Sequence, residues 1–397
     1  MSIGTQYQTR NGERSRQARG LRTDESILDS AISVIDAQGI ERFSLRDVAA
    51  GAGVTHGALY ARYENTRDML ADLWVRRLQD EFDRVVVDAE KCAIELPATD
   101  HLAKLFQSSP TRRVLAQAIA VAPRVDELHD VMPGRLGWRT TNSADVAHCA
   151  YLLLALAIGA FLQEKIDGKL SKQAPELADW LARAADLRVE VATQKPLRPP
   201  MRLQPVATAD PLKSRQDRIF DATLRVIAKS GVAGTTLRRV SRASGYAHTA
   251  VYQEYATLDQ LIAAVLAQHV SSIELSDLSA PHESVEVAVQ IVHSYLSRAD
   301  RMRERLLIEF AVAGVADPEL GQLLKRADQR MFQSLASAID GNPAVAERSR
   351  QFSYVHRDFL LGLSMLSDAV PDSANVEVLD TYSRLLTASH AAAQAKS

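Results

Sequence analysis

SLRDVAAGAGVTHGALYARY, residues 44 to 63, decides how the rest of the chain is read. Ser44 is a good N-cap, and Leu45, Val48 and Ala49 follow at helical spacing, so a short helix with one apolar stripe starts here. Gly51 and Gly53 flank Ala52 and supply the left-handed backbone that stops it. Thr55 offers a second N-cap, with Ala58, Leu59 and Arg62 at i+3, i+4 and i+7. The pattern is helix, tight glycine turn, helix, the arrangement whose second helix can enter a DNA major groove. Small residues near that helix's N-terminus (Thr55, His56, Gly57) permit close approach to phosphate, and Tyr60 and Arg62 follow a turn later. An ordinary helical hairpin would satisfy the same apolar spacing.

Working outward, Asp24 to Gln38 places Ile27, Leu28, Ala31, Val34 and Ile35 on one stripe, closed by Gly39, which predicts a third helix ahead of the hairpin. Asn65 and Thr66 are caps for a long helix running to about Lys91, with Met69, Leu70, Leu73, Trp74 and Leu78 along one side. Upstream, Arg10, Arg14, Arg16, Arg19 and Arg22 stand against one acid, Glu13, with no apolar periodicity. This is a solvated tail, or a basic arm that settles on DNA. Residues 194 to 212 hold Pro196, Pro199, Pro200, Pro205 and Pro211 and read as an extended linker.

Beyond the linker the pattern returns. TTLRRVSRASGYAHTAVYQEY, 235 to 255, matches FSLRDVAAGAGVTHGALYARY, 43 to 63, with no gap at a constant offset of 192. Leu45, Arg46, Val48, Gly53, His56, Ala58, Tyr60 and Tyr63 recur as Leu237, Arg238, Val240, Gly245, His248, Ala250, Tyr252 and Tyr255. The preceding helix recurs too, with Ile219, Phe220, Val226 and Ile227 closed by Gly231. The same hairpin twice, each time after a glycine-ended amphipathic helix, is a duplicated module.

Composition agrees with a helical, multidomain chain: 397 residues, 46% hydrophobic, 24% charged, only 6% aromatic, net charge −2. Two cysteines, Cys92 and Cys149, exclude a disulfide scaffold or a cysteine zinc site. The N-terminal MSIGTQYQTRNGERSRQARG lacks the apolar run of a signal peptide, so a cytoplasmic location is expected. Val146 to Gln163 is uncharged, and His148 and Gln163 favour a buried packing helix over a membrane span. Further helical spacing is found over Glu176 to Val191, Ser284 to Leu296, Arg303 to Val312, Leu320 to Ile339, Phe352 to Ala369 and Val376 to Ala392.

These residues resemble the TetR family of bacterial transcriptional regulators. The likeness rests on the helix ending in Gly39, the SLRDVAAGAGV turn, THGALYARYEN and the Met69-Leu70 start of the connecting helix, about 60 residues in each copy. The resemblance implies an all-α chain of two tandem units, each a three-helix DNA-binding domain followed by a helical domain that binds a small effector and dimerises. The division expected is an arm at 1–20, head 1 at 21–81, body 1 at 82–193, the linker at 194–212, head 2 at 213–273 and body 2 at 274–397. Two unlike copies imply an intramolecular pseudo-dimer, with the helices around Val146 to Gln163 and Glu176 to Val191 packed on Phe352 to Ala369 and Val376 to Ala392, reading an asymmetric operator. The DNA-contacting candidates are Arg46, Thr55, His56, Gly57, Tyr60, Arg62 and Arg67 in the first copy and Arg238, Arg239, His248, Thr249, Tyr252 and Gln253 in the second. Glu254 stands where Arg62 stands, and a carboxylate facing phosphate would cost affinity.

The expected partners are double-stranded operator DNA and a lipophilic small-molecule effector, with further pairing of pseudo-dimers left open and no membrane, metal or cofactor. A helical enzyme and a protein-binding adaptor are the rival classes. Against the first, the chain contains no Glu-x-x-His, H-E-x-x-H, G-x-S-x-G or phosphate-loop signature. Against the second, an adaptor leaves the basic arm and the polar second helix without a role.

Overall fold

The computed structural model describes residues 23–95, 99–132, 144–168, 214–271, 301–338 and 357–367. The basic arm, the proline-rich linker and the helices expected at Glu176 to Val191, Ser284 to Leu296 and Val376 to Ala392 lie outside these residues. Among the described residues the only regular structure is helical.

Head 1 consists of α1 (23–38), α2 (Leu45–Ala52) and α3 (His56–Tyr60). The caps read from the sequence are made: the Ser44 side chain accepts from the Asp47 N–H, Thr55 from Ala58, and Asn65 from Arg67 and Asp68. Each such cap is worth about 1 kcal/mol. Ile27, Leu28, Ala31 and Ile35 of α1 bury against Leu45, Val48, Leu59, Tyr63 and Met69. At about 1.5–3 kcal/mol per fully buried aliphatic side chain, this stripe rather than helix propensity holds such short helices together.

The connecting helix begins as α4 (Thr66–Leu73) and continues as α5 (Gln79–Glu95), but Trp74–Leu78 between them is a π-helical turn. Periodicity predicts one uninterrupted helix here; the wider turn is a local departure that a 3.6-residue pattern does not reveal. Trp74 is fully buried in the turn, and its indole Nε1 has no hydrogen-bond partner among the described residues. Body 1 continues with α6 (Thr99–Leu105), α7 (Pro110–Val121), α8 (Asp126–Val131) and α9 (Ala144–Asp167). Cys149–Asp167 is long and apolar enough to cross a membrane, yet 83% of its apolar window is buried inside the fold, as befits a core helix. Within this core Arg112 is held by Glu81 and Asp88 and by the carbonyls of Lys104 and Leu105.

Head 2 repeats head 1 as α10 (Arg215–Ser230), α11 (Leu237–Ser244) and α12 (His248–Glu254), with α13 (Leu258–Ser271) leading away. Ser214 and Asp217 form a capping box at its start. Of body 2, α14 (Arg301–Ala316), α15 (Pro318–Ala338) and α16 (357–367) are described. The 192-residue offset extends into this body: Pro110–Val121 corresponds to residues 302–313, inside α14.

The two units meet along α14 and α16. Ile308, Ala311 and Val312 of α14 bury in the core that contains body 1, whereas Leu306, Phe310 and Ala313 bury in the core of head 2. Helix α9 crosses α16 at two glycines: a Cβ on Gly159 would lie 1.8 Å from the Asp358 carbonyl oxygen, and one on Gly362 would lie 1.7 Å from that of Ala155. Each glycine faces the residue four positions before the other, the reciprocal pattern of an isologous contact. Arg357, at the start of α16, is buried and binds Asp358, Asp328 of α15 and Asp167 at the end of α9.

Candidate nucleic-acid interface

Both hairpin turns end their first helix on a left-handed glycine, Gly53 at φ 67° and Gly245 at φ 75°. A Cβ on either would meet nothing within 4 Å, so backbone conformation alone demands glycine there. On the second helix only Leu59, or Val251 in head 2, turns inward. All the candidates project outward: Arg46, Thr55, His56, Gly57, Tyr60, Arg62 and Arg67 are exposed, as are Arg238, Arg239, His248, Thr249, Tyr252 and Gln253.

The two recognition helices carry the same surface device. The His56 and Tyr60 rings meet edge to face with centroids 4.5 Å apart at 77°, and His248 and Tyr252 repeat this at 4.7 Å and 79°. Tyr60 and Tyr252 nevertheless remain 49% and 47% exposed, far beyond what a packing tyrosine shows. Gly57 has open space where a Cβ would be, which allows the first turn of α3 to approach another backbone closely. Arg46 and its counterpart Arg238 are exposed and make no ion pair among the described residues. The Thr55 hydroxyl already serves as the cap acceptor, an office Ala247 cannot fill in head 2.

The geometry alters the reading of three candidates. Arg62 is paired with Asp24 at the start of α1, so its guanidinium ties the end of α3 back to α1. Glu254, its counterpart, does not meet phosphate unpaired: Arg215 at the start of α10 binds it at 2.9 Å. The same staple is thus made twice with the charges exchanged. Arg67 lies 4.0 Å from Glu127 of α8, within reach of the body, and Arg239 donates to the Gly234 carbonyl beside its own helix. Asp24 and Arg215 were missed by sequence reasoning; a signal existed, since positions 62 and 254 differ in sign and each has an opposite charge within the first turn of the preceding long helix.

Below the recognition helices the paired tyrosines Tyr63 and Tyr255 are buried anchors. Tyr63 donates to Asp72 at 2.6 Å, and Tyr255 accepts from Gln216 at 2.9 Å. Burial raises the phenol pKa of both. The heads differ in overall charge. Residues 23–73 hold nine acidic and four basic side chains, net −5; the matching window 215–265 holds four acidic and seven basic, net +3. An open cleft of about 700 Å³ lies on the outer face of head 1, lined by Glu25, Ser26, Asp29, Ser30 and Gly51 among others, and not in the helical body.

Two unlike helix-turn-helix heads on helical bodies define the class. Residues 27–73 and 219–265, again 192 apart, both match the family described as bacterial regulatory proteins, tetR family. The chain thus carries two tetR-family DNA-binding segments in tandem. It is similar to the probable acrEF/envCD operon repressor of Escherichia coli (strain K12), 30% identical over 61 residues, 15% of this chain and 28% of that protein. It is also similar to the HTH-type transcriptional regulator AcrR of Shigella flexneri, 36% over 52 residues, 13% of this chain and 24% of that protein. The HTH-type transcriptional regulator AqdR of Rhodococcus erythropolis is 32% identical over 119 residues, 29% of this chain and 56% of that protein. The chain therefore spans from about a quarter to just over half the length of these relatives.

Proposed function

We propose that the protein is a DNA-binding transcriptional repressor in which two unlike heads on one chain read an asymmetric operator as an intramolecular pseudo-dimer. The observation that carries the reading is the duplicated, outward-facing His–Tyr pair on two short helices, each preceded by a helix that displays an exposed arginine, Arg46 or Arg238, with no ion pair among the described residues. Such a surface has phosphate donors and base-edge donors in reach of a groove, and nothing in the fold requires it. The reciprocal α9–α16 glycine crossing supports the pseudo-dimer, because self-complementary contacts are what two-fold pairing uses.

Response to a small effector is the second part of the proposal. The helix from Thr66 to Glu95 runs from head to body, and its π-turn is a place where a shift in the body can be passed to the head. An effector that binds the bodies better in one arrangement than the other would change operator affinity by its differential affinity. The name of the similar operon repressor agrees with repression, and those of the similar regulators with transcriptional regulation.

The test is selection of bound fragments from sheared genomic DNA by the purified full chain. Enrichment of a motif with two unlike half-sites is the expected outcome; recovery of fragments without a common sequence would refute DNA reading. A motif with one half-site would leave regulation standing and remove the two-headed reader.

A further inference from the structure

We propose that Arg124 is the positioning residue that holds the two heads in one fixed relation, through an ionic cluster built on one side of the seam between the units. This rests on the reading above only so far as both heads engage one duplex; the cluster itself is geometric. Arg124 donates from Nη2 to Glu41 Oε1 at 2.6 Å and from Nε to Glu309 Oε1 at 2.9 Å. Glu41 belongs to head 1, Arg124 to body 1 and Glu309 to body 2. Arg305, a turn before Glu309, binds the same carboxylate and donates to the Ala120 carbonyl of body 1 at 3.2 Å. Head 2 lies directly on the cluster: a Cβ on Gly231 would stand 2.6 Å from Glu41 Oε1 and 2.9 Å from the Arg124 guanidinium carbon. All four structural parts therefore converge on one guanidinium.

The cluster is buried, with side-chain exposures of 5% for Glu41, 0% for Glu309, 17% for Arg124 and 11% for Arg305. Two carboxylates and two guanidiniums compensate one another, but only at hydrogen-bonding distance. In a dry environment a small displacement of either head leaves charge without a partner, whereas an apolar seam would tolerate sliding. That is the physical basis for a positional role.

The arrangement is made once. At the 192-residue offset the four positions become Ala233, Ala316, Gln117 and Arg113. On that side Gln117 accepts from the Ile40 N–H at 2.8 Å, Arg113 is bound to Asp36, and a Cβ on Gly39 would stand 2.7 Å from the Ala316 methyl. That seam packs Gly39 closely on Ala316, and the ion pair between the units on that side, Arg42 with Asp317 at 2.8 Å, is exposed rather than buried. A second-unit-to-second-unit pairing would leave Glu309 without Arg124, and a first-to-first pairing would offer Arg124 a glutamine. The cluster thus also selects the union of unlike units.

The experiment uses the full chain with spin labels at Ala50→Cys and Ala243→Cys, exposed positions on α2 and α11; Cys92 and Cys149 are buried and do not compete. The parent is expected to give one narrow distance distribution. Arg124→Ala is expected to broaden it. Because that change strands the buried Glu41 carboxylate, a second variant, Arg124→Met and Arg305→Met with Glu41→Gln and Glu309→Gln, removes all four charges together and is expected to fold and to broaden the distribution likewise. A narrow distribution in the neutral variant, or its failure to fold, overturns the proposal. On the duplex selected by the parent, insertion of base pairs between half-sites is expected to weaken parent binding by about tenfold and the neutral variant by much less. Should the parent select no duplex, the DNA reading fails while the label distances still decide the role of Arg124.

Discussion

Gly159 of α9 and Gly362 of α16 meet backbone to backbone, each leaving the space that the other's helix occupies. Alanine would normally gain up to about 1 kcal/mol over glycine within a helix. Here its methyl group would fall on a carbonyl oxygen, so Gly159→Ala and Gly362→Ala are each expected to destabilise by about 1–3 kcal/mol. Urea unfolding midpoints check the sign, and a stabilised variant would mean the helices do not cross there.

The unpaired and paired arginines of the heads should separate in salt titrations. Arg238→Ala is expected to reduce the slope of log affinity against log salt by about 0.9, as loss of one phosphate contact does. Arg62→Ala should change the slope less, because that guanidinium is bound to Asp24. It should instead loosen α3 from α1, and the exchange Arg62→Asp with Asp24→Arg is expected to recover most of the lost binding.

Burial pushes the Asp358 carboxyl up to about 7, with Arg357 opposing the rise and Asp167 and Asp328 adding to it. The folded state therefore holds this proton more tightly than the unfolded chain, whose reference value is 3.8. The contribution to stability is complete below the unfolded value and is lost as pH rises through about 7. Parent and Asp358→Asn are thus expected to diverge in thermal midpoint as pH rises across this range, the parent falling relative to the variant. Parallel pH profiles would show that the carboxyl is already ionised throughout.

Both cysteines are buried, and burial, with help from nearby Asp88, raises the Cys92 thiol to about 12. Native protein at pH 8 is expected to resist a thiol-alkylating reagent that labels the urea-unfolded chain at two sites. Rapid labelling without denaturant would place these helices outside the core.

The tandem heads were legible because their signals are local. Ser44, Gly53, Thr55 and Asn65 cap or stop helices within a few residues of themselves, and the offset from Gly53 to Gly245 announces the duplication. The outward display of His56, Tyr60, His248 and Tyr252 follows from the same periodicity. What stayed hidden depends on distant partners. Glu41, Arg124 and Glu309 are spread over the chain, and only the docking of the two units brings them together. Gly39 and Gly231 read correctly as helix stops, yet sequence alone does not say that each also admits a side chain or methyl group of the opposite unit. The staple partners of Arg62 and Glu254 escaped for a milder reason, since they lie one position apart in the two copies.

The π-turn at Trp74–Leu78 inserts one residue beyond what a regular α-helix would use, which rotates everything downstream by roughly 100° about the axis. The stripe that grips the head, Met69, Leu70 and Leu73, and the stripe that grips the body, Phe82, Val85, Ala89 and Cys92, would stand roughly 135° apart on an uninterrupted helix, and the extra residue brings them close to one line on a single rod. A shaft of this kind turns one end with the other, and excising a single residue from it would point the reading surface in a new direction while leaving both ends folded.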